Sequence, residues 1–176
     1  MDRRSVVLKD GRTAVIRHLT RADTELLFLC FESFGHEARR NFAPHPFSPE
    51  IAADICSRIG NDASSVRFLV TEGDPPAERP LGYAFLWLLD QDVPSLGIGL
   101  VDAAIGLGLG RHVMEFLIDC ARERGFARIT LSVMVRNTRA RALYESLGFT
   151  CHGHRTWDDN GKGWSLKMEK NLKEEG

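Results

Sequence analysis

The chain has 176 residues and a mass of 19.7 kDa, the size of one domain with a sizeable core. Its 23 basic residues are offset by 24 acidic ones, leaving a net charge of −1, and no basic run stands out, which disfavours a nucleic-acid partner. The longest apolar runs, such as residues 84–89, are too short to cross a bilayer, and the charged first five residues have no apolar stretch behind them. A single domain over 1–176, a cytoplasmic location, no signal peptide and no membrane partner are therefore expected.

From the N-terminus, residues 6–8 and 14–17 flank Lys9-Asp10-Gly11-Arg12, and Asp-Gly between extended runs predicts a β-hairpin. Thr20-Arg-Ala-Asp23 reads as a capping box, with Thr20 as N-cap of a helix carrying Leu26, Leu27, Leu29 and Cys30. Residues 36–47, with two prolines and mixed charge, read as a loop. Ser48-Pro49-Glu50 then starts a helix that runs to about Ile59.

Two strands, 66–71 and 81–89, are separated by the turn-rich stretch 73–80, and a shorter turn at 90–94 leads into a strand at 95–101. A glycine-rich helix start follows, with Val113, Phe116, Leu117, Cys120 and Ala121 on one face and Gly125 at the end. Residues 129–135 predict a strand, 138–147 a helix ended by Gly148, 149–155 a strand, 158–161 a turn, and 164–168 the last strand. This order implies a mixed sheet with helices on both faces, in an α/β or α+β arrangement.

Cys30, Cys56, Cys120 and Cys151 have no paired spacing, so no metal site is expected. Cys30 and Cys120 fall on apolar helix faces and read as buried, inert thiols. His152 and His154 alternate on a late strand; two histidines make a poor metal site and read as surface or substrate-lining groups.

The most informative stretch is Gly97-Ile-Gly-Leu-Val-Asp102 followed by Ile105-Gly-Leu-Gly-Leu-Gly-Arg111. A strand that ends in glycines and opens onto a helix start offers unpaired N–H groups and the positive end of the helix dipole, which suits a phosphate ester. Two nucleotide motifs fail here. The third glycine of G-x-G-x-x-G is replaced by Arg111, and Val135-Arg136 stands where an acidic residue is needed after the next strand. No Gly-Lys-Ser/Thr is present for a P-loop.

Leu96 to Asp102 with Gly106-Leu-Gly-Leu-Gly-Arg-His-Val-Met114 instead resembles motif A of the GNAT superfamily of acyl-CoA-dependent N-acetyltransferases. Asn137-Thr-Arg-Ala140-Arg-Ala-Leu-Tyr144-Glu-Ser-Leu-Gly-Phe149 is similar to its motif B, N-x-x-A-x-x-x-Y-x-x-x-G-F, and the opening residues 8–20 are similar to many bacterial members. The resemblance implies a GNAT-type mixed, mostly antiparallel central sheet of about seven strands with helices on both faces. Its fourth and fifth strands, here 95–101 and 129–135, would splay apart. It further implies acetyl-CoA as cosubstrate, with the pantetheine amides on the main chain of Leu100 and Val101. The pyrophosphate would lie on the N–H groups of Gly106, Leu107, Gly108, Leu109, Gly110 and Arg111. Asn137 would contact the pantetheine arm or the adjacent main chain, Ala140 would leave room beside it, and Tyr144 would act as general acid toward the departing thiolate.

The acceptor implied is a small-molecule or peptide primary amine that attacks the thioester directly, and homodimers are common among members. Its pocket would be walled by the first two helices, residues 39–47 and the turn around 157–161, with Phe42, Phe47, Trp87 and Trp157 as candidate linings. An alternative is a non-catalytic acyl-CoA-binding sensor or degenerate subunit.

The sequence departs from the family pattern at four positions. Ile105 and Leu107 stand where basic or amide residues are usual, which leaves Arg111 as the nearest expected cation. Ser95 and Ser132 stand where carboxylates often serve as general base. Asp90 and Asp92, and more weakly Glu32, His36 and His45, are the remaining candidates. Without a strong base, a lysine ammonium, about one part in 2,500 neutral at pH 7, is a harder acceptor than an α-amine, about a tenth to a sixth neutral. An α-amine or similarly weak base is thus expected.

Overall fold

The computed structural model describes residues 3–73, 77–152, 156–157 and 163–173, the side chains of 156–157 excepted. Strands β1 (Arg3–Val7) and β2 (Thr13–His18) form the N-terminal hairpin around Gly11. Thr20 and Asp23 do form the capping box, but on a short 3₁₀ turn, Arg21–Asp23, that feeds α1 (Thr24–Glu32).

A second helix, α2 (His36–Asn41), occupies the stretch expected to be a loop. It has six residues and none of them is buried, so no apolar period marks it. Glu37 in its first turn and Arg39 and Arg40 in its last suit the helix dipole, and the prolines lie beyond its end. The helix α3 (Pro49–Arg58) starts on Ser48, whose hydroxyl accepts the Ile51 N–H.

Then come β3 (Ser65–Glu72), β4 (Arg79–Trp87) and β5 (Ser95–Leu100), followed by α4 (Leu109–Glu123) and β6 (Arg128–Met134). The chain continues through α5 (Thr138–Ser146), the two-residue β7 (Thr150–Cys151) and β8 (Thr156–Trp157), and β9 (Trp164–Asn171). His154 and the expected turn at 158–161 lie outside the described residues.

The strands form one sheet in the order β1-β2-β3-β4-β5-β6-β9-β7, with β8 also on β9. All pairings are antiparallel except β5 with β6. Among the described residues nine strands are present, close to the seven or so expected, and β7 takes up Thr150 and Cys151 of the expected span 149–155. The last strand does not extend the edge but inserts between β6 and β7.

Helices cover both faces. On one, Phe116 of α4 meets Phe68 of β3 edge-on at 4.9 Å between ring centroids, and Val113, Leu117, Cys120 and Ala121 are fully buried beside it. Burial of each large side chain of that stripe contributes roughly 1.5–3 kcal/mol. On the other face, Phe31 of α1 packs against Tyr83 of β4, and an aromatic layer of Phe34, Phe42, Phe47 and Phe85 surrounds them. Cys30, Cys56 and Cys120 are buried and Cys151 is exposed. Burial pushes the Cys30 thiol up to about 12. No helix among the described residues is long and apolar enough to cross a membrane.

Candidate active site

The strands β5 and β6 share a single pair of partners, Ser95 and Thr130, where the Thr130 N–H donates to the Pro94 carbonyl at 2.9 Å. Beyond that rung they part. Val101 donates its N–H to Leu81 O at 3.0 Å, so residues 81 and 101 form a hydrogen-bonded pair of the antiparallel β4–β5 ladder. Alternation along that ladder turns the main-chain groups of Gly97 and Gly99 toward β4, and those of Ile98 and Leu100 into the gap.

Val101 is therefore a correction to the expected contact set. Its N–H is held by Leu81, and its carbonyl accepts the Ala104 N–H at 2.9 Å. The main-chain groups left open on this edge are those of Ile98 and Leu100.

The glycine loop leads from this edge to α4. Gly106 and Gly108 have φ of 84° and 87°, a region where an L side chain would clash with its own backbone. Among the described residues, the N–H groups of Gly106, Leu107, Gly108, Leu109 and Gly110 have no protein partner. Such a run forms an anion-binding nest at a helix start. Arg111 is again a correction, because its N–H and that of His112 already close onto Gly108 O, at 3.1 and 3.4 Å. A Cβ built on Gly106 meets nothing within 4 Å, which leaves room above the nest. A Cβ on Gly110 would meet Leu143 of α5 at 3.4 Å and Leu100 of β5 at 3.7 Å, ordinary contact distances.

The hairpin buttresses this loop. Lys9 donates its N–H to Leu107 O at 3.1 Å, and the Arg12 guanidinium reaches Ala103 O at 3.4 Å. The Lys9 side chain thereby comes to the nest beside Gly108. Sequence reasoning missed this cation; the Asp-Gly hairpin was the signal, since its tip had to pack somewhere. Arg111 is tied by its guanidinium to the Ser146 hydroxyl at 2.7 Å and lies 3.8 Å from Glu115.

These elements enclose a cleft of about 360 Å³. Leu100, Gly106, Gly108, Gly110, Arg111, Asn137, Ala140 and Tyr144 all line it, together with Lys9, Glu37, Phe42 and Arg139. The side chain of Leu109 is buried beneath the nest.

Asn137 caps α5, its Oδ1 accepting the Ala140 N–H at 3.2 Å. At the other end of that helix, the Gly148 N–H bonds to Glu145 O and the Phe149 N–H to Tyr144 O. This is a Schellman ending, which the positive φ of Gly148 permits. It brings the Phe149 ring to 6.1 Å from that of Tyr144, fixing the phenol. The Tyr144 hydroxyl has no hydrogen-bond partner among the described residues, and burial pushes it up to about 12. It stays protonated at neutral pH.

The expected base candidates do not reach the cleft. Asp90, Asp92, Glu32 and His36 are exposed and outside its lining. His45 lies among the rings of Phe31, Phe47 and Tyr83 with a buried Nε2 that has no partner among the described residues, and burial lowers its basicity. Of the aromatic candidates only Phe42 lines the cleft; Phe47 packs on Phe31 and Phe34, and Trp87 on Phe85. The side chain of Trp157 lies outside the described residues. No three His, Cys, Asp or Glu converge as a metal site among the described residues.

A parted strand pair, a phosphate-type nest and a buried phenol with no partner among the described residues thus lie together in one cleft. The family model described as "Acetyltransferase (GNAT) family" matches residues 26–149, and the chain belongs to that family. A mycothiol acetyltransferase of Beutenbergia cavernae is 36% identical over 118 residues, covering 63% of this chain and 38% of that protein. The [ribosomal protein bS18]-alanine N-acetyltransferase of Escherichia coli is 55% identical over 42 residues, 24% of this chain and 28% of its own length. The chain thus spans well under half of these curated relatives. Among solved structures, the spermidine N-acetyltransferase of Vibrio cholerae in complex with CoA and spermine superposes with a TM-score of 0.73 at 18% identity, covering 90% of this chain and 95% of that one, which shows the shared fold.

Proposed function

We propose that this protein transfers an acetyl group from acetyl-CoA to a primary amine, and that an α-amine or similarly weak base is its preferred acceptor. The observation that carries this is the coincidence of five partnerless N–H groups, Gly106 to Gly110, with the open edge of β5 and the unpartnered Tyr144 phenol in one cleft. The names of the curated relatives support an amine acceptor, and that of the alanine N-acetyltransferase supports an α-amine.

Acetyl-CoA would supply the thioester carbonyl that the amine attacks. The nest of Gly106 to Gly110 and the Lys9 ammonium would hold the pyrophosphate, and the main-chain groups of Ile98 and Leu100 would hold the pantetheine amides. The Leu100 N–H would also stabilise the developing oxyanion. The amine nitrogen forms the new N–C bond as the C–S bond breaks. Tyr144 gives its proton to the sulfur and, as a strongly basic phenolate, recovers one from the new amide nitrogen through solvent. Holding the amine at near-attack distance supplies the remainder of the rate enhancement.

Acetyl-CoA at one hundred times its Kd is expected to stabilise the protein by about 2.7 kcal/mol in thermal unfolding. The variant Tyr144→Phe should bind it equally well and turn over roughly 10²-fold more slowly. A protein that acetyl-CoA leaves unstabilised would contradict the reading, and unchanged turnover would remove Tyr144 from the chemistry. Rates on α- and ε-amines across pH 6–10 check the acceptor class: a preference for the ε-amine at neutral pH would defeat it.

A further inference from the structure

The short helix α2 lines the cleft and meets, at its two ends, side chains from the segments that follow β5 and β6. At its start, the Asp102 carboxylate, just past β5, lies so close to Gly35 that a Cβ there would overlap it. At its end, the Arg136 guanidinium, just past β6, donates to Arg40 O at 2.6 Å and to Asn41 Oδ1 at 3.1 Å. Each contact has the sign that the helix dipole favours, an anion at the N-terminus and a cation at the C-terminus. Arg136 is also the neighbour of Asn137, which caps the opposite wall. One side chain therefore joins the two lips of the cleft.

Through α2 and the residue that follows it, Glu37, Ala38 and Phe42 face the cleft. The charges lining that cleft are unevenly placed. Lys9 and Arg111 flank the glycine nest and Arg139 sits on α5, while Glu37 is the one acid among the described lining residues. The cations suit a ligand carrying phosphates. The lone carboxylate, on α2, suits a group of opposite charge.

We infer that Glu37 is the acceptor-recognising carboxylate, drawing the ammonium of a small cationic amine to the thioester, and that Arg136 is a positioning residue that holds α2, and with it Glu37, at the cleft. This rests on the acetyl-transfer reading above and adds to it what receives the acceptor. Glu37 is exposed, so its part is that of a counter-charge. Glu37 thus raises the local concentration of the amine, and the small neutral fraction present reacts. The signature is an effect on acceptor KM that depends on charge and fades with salt.

The test compares the wild-type protein with Glu37→Gln, Arg136→Lys and Arg136→Met. Two acceptors serve as probes: alanine amide, largely cationic at pH 7, and an arylamine that is neutral there. Glu37→Gln is expected to raise the KM for alanine amide about three- to five-fold at low salt, the range of an exposed ion pair. It should leave kcat nearly unchanged, lose its effect in 0.5 M salt, and leave the arylamine KM unmoved. Arg136→Met should raise both acceptor KM values, and Arg136→Lys should recover part of that rise. All variants should bind acetyl-CoA as the wild type does by calorimetry.

In the double variant Glu37→Gln/Arg136→Met, the Glu37 effect should shrink, because the carboxylate is no longer held in place. An unchanged alanine amide KM in Glu37→Gln, or an equal rise for both amines that salt does not remove, overturns the role of Glu37. Intact acceptor KM values in Arg136→Met overturn that of Arg136. Wild-type protein that binds acetyl-CoA yet acetylates neither amine sinks the underlying reading instead.

Discussion

Lys9 compensates at long range for side chains that are missing locally. Ile105 and Leu107 put no charge on the glycine loop, yet the hairpin tip delivers an ammonium to Gly108 from about a hundred residues away. An exposed cation of this kind acts mainly through screened attraction. Lys9→Met should weaken acetyl-CoA binding a few-fold at low salt, with the difference vanishing above about 0.5 M, as calorimetry at two ionic strengths will show. Equal affinity at low salt would leave the N–H groups as the whole phosphate site. Tyr144, the proposed acid, is the complementary case: a hydroxyl with no partner among the described residues, held against Phe149.

At the level of elements, the cleft depends on close approach. A Cβ on Gly99 would overlap the Phe42 ring and touch Phe34, so this strand carries glycine where the acceptor wall leans on it. Gly99→Ala should destabilise the fold by about 1–3 kcal/mol, as overpacking does, and raise the acceptor KM through a displaced Phe42. Urea unfolding combined with steady-state kinetics measures both. Much of this region was legible beforehand. The apolar stripe of α4, the glycine nest and the Gly148-Phe149 ending are local patterns, and each formed where its residues called for it.

What could not be read has a common cause in long-range geometry. The helix α2 buries no residue and so leaves no periodic trace; its end is held by Arg136, nearly a hundred residues downstream. The engagement of Val101 depends on Leu81, and the insertion of β9 beside β6 depends on the whole sheet. The base candidates failed for a related reason. Closeness in sequence to the acceptor loop did not put His36 or His45 into the cleft, nor did the turn before β5 bring Asp90 there, whereas Glu37, one residue from His36, does line it.

Across the whole molecule, an ion cluster outside the cleft ties the N-terminal strands to the rest. The Arg17 guanidinium bonds Asp23 at 2.8 and 2.9 Å and Glu78 at 2.9 and 3.0 Å, with all three side chains largely buried. Burial alone would raise the Asp23 carboxyl, but its hydrogen bonds from Arg17 and Thr20 outweigh that and hold it below its ordinary value. The hydrogen bond from Arg17 likewise lowers Glu78. Carboxyls depressed in the folded state stabilise it fully above their unfolded values near 4, and that contribution is lost as pH falls through the folded ones. Denaturant midpoints should therefore hold from pH 8 to about 5 and drop below about 4. Arg17→Met should cost about 3 kcal/mol at pH 7 and flatten part of the acid limb. A limb of undiminished steepness would place the acid sensitivity elsewhere.

The lone rung between Ser95 and Thr130 has a mechanical consequence. Five strands on one side and four on the other are two panels sharing a hinge pin, and the wedge between them is a seam with unused polar edges. A molecule bearing amides along its length can lace that seam as a surrogate strand. On the acetyl-transfer reading proposed above, the cosubstrate would be a structural member as well as a reagent, and each turnover would unlace and relace the protein's central wall.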